Sequence, residues 1–156
     1  MTKQAHKAPT LEEFQILLKK HGLKATQQRL AVHKAMLSLG HASADMVAEE
    51  IIKDGTTNVT VASVYNILSQ LALLGVYQHR MSSTNKMFFD VNTFKHIHLY
   101  DSENNTYRDV IDDELVELVH SKLGKKKFRG YKIENIDIQI VCRPSKTARA
   151  TAGMKH

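Results

Sequence analysis

The 156-residue chain has one cysteine and no tryptophan, and no apolar run in it approaches the ~20 residues that span a bilayer. A single cysteine excludes an internal disulfide framework and an all-thiolate zinc cage within one chain, leaving only pairing between chains. The lack of a long apolar segment argues against a membrane partner. Met1–Pro9 also lacks the apolar core of a signal peptide, so a cytoplasmic protein is expected. A charge bias confined to one half is missing too: residues 1–92 and 93–156 each carry +3 of the total +6. Such a basic balance is compatible with nucleic acid without requiring it. What the chain has in surplus is histidine, with nine residues.

The first half reads as helices with start and stop signals. Thr10 with Glu13 forms a capping-box pattern ahead of the apolar residues Leu11, Phe14, Ile16, Leu17 and Leu18, and Gly22 stops the helix. Thr26 opens a second helix that ends at Gly40. Ser43 opens a third that ends at Gly55, and Thr60 a fourth that ends at Gly75. The pattern then changes to two strands, Val76–Met81 and Lys86–Val91, around the polar turn Ser82–Asn85. Short helices followed by a β-hairpin predict a winged helix-turn-helix, with the fourth helix as the recognition helix. Beyond it, Ile97–Tyr100 and Thr106–Ile111 read as strands and Asp112–Leu123 as a helix. In Ile133–Cys142, the residues Ile136, Ile138 and Ile140 alternate as for a strand with one buried face. The expected fold class is therefore α+β. Residues 1–92 read as a winged-helix domain, 93–142 as a small α+β module, and 143–156 as a basic, disordered tail with Arg143, Lys146, Arg149 and Lys155.

The sharpest local chemical signal is His96-Ile97-His98. Residues i and i+2 of a strand point to one face, so both imidazoles can reach one metal. Taken alone the pair also fits two solvent-facing strand histidines. Asp90 at the end of the hairpin, Asp109 on the next strand and His41 before the third helix add donors. Imidazole with carboxylate suits divalent iron, manganese or zinc. His6, His21, His33, His79 and His156 read as surface histidines.

Several short stretches, in order, carry a resemblance. They are Gly22–Leu30 (GLKATQQRL), His41–Asp45 (HASAD), Val61–Tyr65 (VASVY), Leu74–Val76 (LGV) and His96–His98 (HIH). In them the chain resembles the ferric uptake regulator (Fur) family of metal-dependent bacterial transcription regulators, over roughly residues 11–142. The resemblance implies a homodimeric repressor of iron, metal-homeostasis or peroxide-stress genes, not an enzyme, with residues 1–92 as its DNA-binding domain and 93–142 as its dimerisation and metal-sensing domain. It also implies one divalent metal per chain, ferrous iron first and zinc or manganese as alternatives. That metal would be held between the domains by His41, Asp90, His96, His98 and Asp109. Aspartate in both carboxylate positions is similar to the peroxide-sensing branch, in which bound ferrous iron reacts with peroxide and ligand histidines are oxidised.

The family's structural zinc, held by two Cys-x-x-Cys pairs, has no counterpart, because the positions read Asp101-Ser-Glu-Asn104 and Cys142-Arg-Pro-Ser145. The family's optional second site is also interrupted, by Lys95 and Ile97, with His120 and Glu117 as a possible replacement pair. For a double-stranded DNA operator, the resemblance and the charge pattern point to Lys24, Arg29, Ser63, Tyr65, Asn66, Arg80 and Lys86. Asn66 stands where the family usually has Arg, which alters the expected operator. Two other readings follow from the same residues. One is a degenerate family member with metal-independent DNA binding or a different ligand such as haem. The other is a cupin-like non-haem metal enzyme built on His96, His98 and Glu103, which requires a β-barrel.

Overall fold

The computed structural model describes residues 7–145. The chain divides into two compact units, with the boundary in the sequence between Phe94 and Lys95. The expected basic tail lies outside the described residues except for Arg143, Pro144 and Ser145, as do His6 and His156.

The first unit runs α1 (Leu11–Lys20), α2 (Gln27–Leu39), β1 (His41–Ala42), α3 (Ala44–Asp54), α4 (Val61–Leu73), β2 (Gln78–Met81) and β3 (Met87–Asp90). Each helix starts on the side chain the sequence offers. Thr10 accepts from the Glu13 N–H while Glu13 accepts from the Thr10 N–H, closing the capping box. Thr26, Ser43 and Thr60 cap α2, α3 and α4 in turn. Gly55 ends α3 in the left-handed conformation at φ 76°, which a side chain would disfavour. The hairpin β2–β3 is antiparallel, with Met81 opposite Met87, and its turn is closed by the Ser82 N–H on the Lys86 carbonyl. The short strand β1 was not expected. It pairs antiparallel with β3, giving a three-stranded sheet of order β1-β3-β2.

The core of this unit is Phe14, Leu18, Val32, Met36, Val47, Ile51, Val64, Leu68, Leu71, Tyr77 and Phe89 with their smaller neighbours. Val64, Leu68 and Leu71 form the buried stripe of α4, while Val61 and, just past its end, Leu74 are exposed. His33 is a correction: it is fully buried rather than superficial. Its ring stacks on Phe14 with centroids 4.1 Å apart. Its Nε2 lies 2.7 Å from the Pro9 carbonyl and its Nδ1 2.7 Å from the Tyr77 hydroxyl. A carbonyl only accepts, so Nε2 carries the proton and Nδ1 accepts from Tyr77. Burial lowers the His33 pKa, against an opposing pull from its bond to Pro9, and burial raises that of Tyr77.

The second unit runs β4 (Ile97–Asp101), β5 (Thr106–Val110), α5 (Asp113–Gly124) and β6 (Ile138–Cys142). The sheet order is β5-β4-β6, with β5 antiparallel and β6 parallel to the central β4. Asp112 caps α5 through the Leu115 N–H. The strand expected from Ile133 begins only at Ile138, and its alternation does not bury a face: Ile140 is 43% and Val141 62% exposed. β6 is an edge strand, and no layer of the described chain covers these side chains. Among the described residues of this unit, the buried apolar side chains are Ile97, Tyr100 and Val116. The described residues form two three-stranded sheets and no barrel, which removes the scaffold that the cupin-like reading requires.

Candidate metal centre and nucleic-acid interface

The five metal candidates fall into two groups, one in each unit. In the first unit, the β1–β3 ladder sets His41 directly opposite Asp90. Both side chains are buried, and His41 Nδ1 lies 3.4 Å from Asp90 Oδ2. The other carboxylate oxygen of Asp90 accepts from the Asn92 N–H at 2.8 Å, which fixes the carboxylate plane. The unexpected strand β1 is thus what positions His41.

In the second unit, His96 precedes β4 and His98 lies within it. Both are buried, and their rings approach edge to face with centroids 4.4 Å apart. His98 is the register partner of Asp109 on β5. Asp109 Oδ1 reaches His96 Nε2 at 3.0 Å. His98 Nδ1 faces a further carboxylate, Asp137 Oδ1, at 3.3 Å. Sequence reasoning did not single out Asp137; no local pattern joins it to His98, because the parallel pairing of β4 with β6 does so.

The DNA candidates all belong to the first unit. On α4, Tyr65 is 45% exposed and sets its ring edge against Phe89 at 6.2 Å, while Asn66 beside it is exposed. Ser63 is occupied by capping: its hydroxyl accepts from the Thr60 N–H and donates to the Thr60 carbonyl. Arg29 is tied within the fold, with Nη1 on the Lys24 carbonyl at 2.9 Å and Nη2 on Gln70 Oε1 at 3.3 Å. Lys86 pairs with Asp45 at 2.8 Å, and Lys24 is exposed. Arg80 is half-buried on β2.

A family model settles the kinship, since residues 20–141 match that of the ferric uptake regulator family. The chain belongs to the ferric uptake regulator family. Among curated relatives, the peroxide-responsive repressor PerR of Staphylococcus aureus is 30% identical over 90 residues, which is 57% of this chain and 60% of that repressor. The match thus spans about three fifths of the relative's length. Among solved structures, the ferric uptake regulator of Vibrio cholerae is similar at TM-score 0.69 and 22% identity, over 84% of this chain and 99% of that one. The peroxide stress regulator of Campylobacter jejuni is similar at TM-score 0.59 and 25% identity, over 84% and 96% respectively.

In this Fur-family chain the positions of the absent thiolates carry hydrogen bonds instead. Asp101 Oδ1 accepts from the N–H groups of Glu103 and Asn104, and its Oδ2 accepts from the Asn104 amide at 2.8 Å. Ser102 donates both its N–H and its hydroxyl to the Cys142 carbonyl, at 2.8 and 3.1 Å. Cys142 Sγ lies 3.5 Å from the Tyr100 carbonyl, which accepts from it. His120 of the suggested replacement pair lines a cavity of about 710 Å³ with Lys95, Lys126, Lys127, Arg129, Lys132 and Glu134.

Proposed function

We propose that this Fur-family chain is a DNA-binding transcriptional repressor that responds to a divalent metal and acts as a homodimer. The observation that carries the reading is the pairing of buried imidazoles with carboxylates, His41 with Asp90 in the first unit and His96 with Asp109 in the second, with the His98 ring against that of His96. Each of these five residues offers one nitrogen or oxygen donor. Three imidazoles and two carboxylates fit divalent iron, manganese or zinc, and lack the soft sulfur that copper(I) prefers. Solved relatives are described with manganese, iron or zinc. Buried charged groups of this kind need partners, and a bound cation supplies one.

Two of the ligands belong to the first unit and three to the second, so binding of one cation by all five couples the DNA-reading unit to the other. Coupling of this kind raises DNA affinity to the extent that the cation favours the coupled arrangement. Aspartate at both carboxylate positions and the similarity to the staphylococcal peroxide-responsive repressor support peroxide-stress genes as targets over iron-uptake genes. Homodimerisation is supported by the second unit itself. Three buried apolar side chains make a thin core, while Leu118, Phe128, Tyr131 and Val141 are all more than half exposed. A second copy of this unit would cover such residues.

Elemental analysis of the purified chain, paired with fluorescence anisotropy on operator fragments with and without chelator, tests the reading. The expected result is one divalent ion per chain and DNA binding that is lost with chelator and with His96→Ala plus His98→Ala. DNA binding that ignores both, with no metal in the protein, overturns it in favour of a metal-independent member.

A further inference from the structure

His98 differs from the other two candidate histidines in the partner of its ring. His41 Nδ1 faces Asp90 and His96 Nε2 faces Asp109, carboxylates that are themselves candidate ligands. His98 Nδ1 faces Asp137, which lies outside that set of five. The parallel ladder explains the approach. Ile97 pairs with Ile138 and His98 with Gln139, so the residue ahead of β6 arrives beside the start of β4. The ring of His98 is 4% exposed, whereas Asp137 is 52% exposed. The carboxylate therefore stays hydrated while it meets one edge of a buried imidazole.

The chemistry of that meeting is directional. An ionised carboxylate only accepts, and a neutral imidazole donates from one nitrogen alone. With Asp137 on Nδ1, the proton resides on Nδ1 and the lone pair on Nε2. A metal takes the nitrogen with the lone pair, and ligand histidines are commonly fixed by a carboxylate on the other nitrogen. A cation binding His41, Asp90, His96 and Asp109 would replace their mutual contacts. The Asp137 contact competes with no ligand atom and persists.

We propose that Asp137 is a positioning residue that holds the His98 ring with Nδ1 protonated and presents Nε2 to a divalent cation. The proposal rests on the metal-responsive reading above. It adds a sixth residue whose effect is on affinity rather than on ligation, since Asp137 touches the cation only through His98.

The test uses the full chain as wild type and three variants: Asp137→Asn, Asp137→Glu and His98→Ala. Manganous ion affinity is measured by competition with a chromogenic chelator, and the His98 tautomer of the metal-free protein by nitrogen-15 NMR. Asp137→Asn should weaken metal binding by about 10–100-fold and shift His98 toward a mixture of tautomers, and Asp137→Glu should restore most of both. If His98→Ala weakens binding while Asp137→Asn stays within about twofold of wild type, the proposal fails and the metal-responsive reading stands. If His98→Ala also leaves manganese affinity unchanged, that reading fails as well. A loss in Asp137→Asn that Asp137→Glu does not restore, with the wild-type tautomer retained, assigns the effect to folding and overturns the proposal.

Discussion

Asp101 and Cys142 stand opposite each other as partners in the parallel β4–β6 ladder, and the turn after Asp101 is bound to the Cys142 carbonyl through Ser102. A hydrogen-bonded clasp thus ties β6 to the central strand β4. Asp101→Ala removes three acceptor interactions at once and should destabilise this unit by about 1–3 kcal/mol. Urea unfolding followed by circular dichroism measures the loss. A stability unchanged within about 0.5 kcal/mol would remove the clasp from the account.

His33 ties stability to pH. Its folded pKa lies below the unfolded value of 6.5, because burial disfavours the charged ring. Below the unfolded pKa the unfolded chain binds the extra proton first, so stability falls as pH falls. The full contribution is present above about pH 6.5, and the loss runs from there down to the folded pKa. His33→Ala should cost about 2–4 kcal/mol at neutral pH, leaving the Tyr77 hydroxyl and Pro9 carbonyl without this partner in a cavity beside Phe14. It should also flatten the pH dependence of the urea midpoint over the same range. An equally steep profile in the variant would place the titration elsewhere.

Tyr65 offers the clearest separation of DNA affinity from folding. The residue is 45% exposed, and its ring meets that of Phe89 edge to face with centroids 6.2 Å apart. Tyr65→Phe removes only the hydroxyl and should leave the melting temperature in place. If the hydroxyl meets a phosphate, operator affinity drops by about 0.5–1.5 kcal/mol. Tyr65→Ala should cost about 1–3 kcal/mol in binding if the ring packs on a thymine methyl. Equal operator affinity in wild type and both variants would remove Tyr65 from the interface.

The exposed apolar side chains of the second unit give a test of pairing. Leu118→Glu on α5, or Val141→Asp on β6, places a charge where a second copy would pack. Light scattering after size exclusion should show the wild type as a dimer and at least one variant shifted to monomer at micromolar concentration. A wild type that stays monomeric would refute the proposed pairing.

Much of the first unit was legible because its signals are local. Thr10, Thr26, Ser43 and Thr60 each announce a helix, and each caps one. The hairpin and its Ser82–Asn85 turn followed from alternation and turn residues in the same way. β1 was not legible: two residues carry no alternation, and the pairing to β3 spans about fifty residues. His33 was misread because an imidazole inside a helix carries no mark of burial; its partner Phe14 lies on α1 and its partner Tyr77 just ahead of β2. The isoleucine alternation of β6 was real, but sequence could not say that no layer of the described chain covers it. The residue types of the candidate site could be read from His41, Asp90, His96, His98 and Asp109, whereas the Asp137 partnership depends on a parallel register that no local pattern encodes.

That register also has a kinetic meaning. About forty residues, including β5, α5 and the approach to Ile138, separate β4 from β6 along the chain. Helices and a tight hairpin dominate the first unit, so its contacts close early, and the long closure of β4 on β6 comes late. The backbone around His96 and His98 should therefore be protected from pulse-labelled hydrogen exchange after that of α2 and α4, and simultaneous protection would contradict this order. During synthesis the helix that carries Tyr65 can form well before residue 142 emerges, so the first unit can take its shape before the second group of imidazoles is assembled.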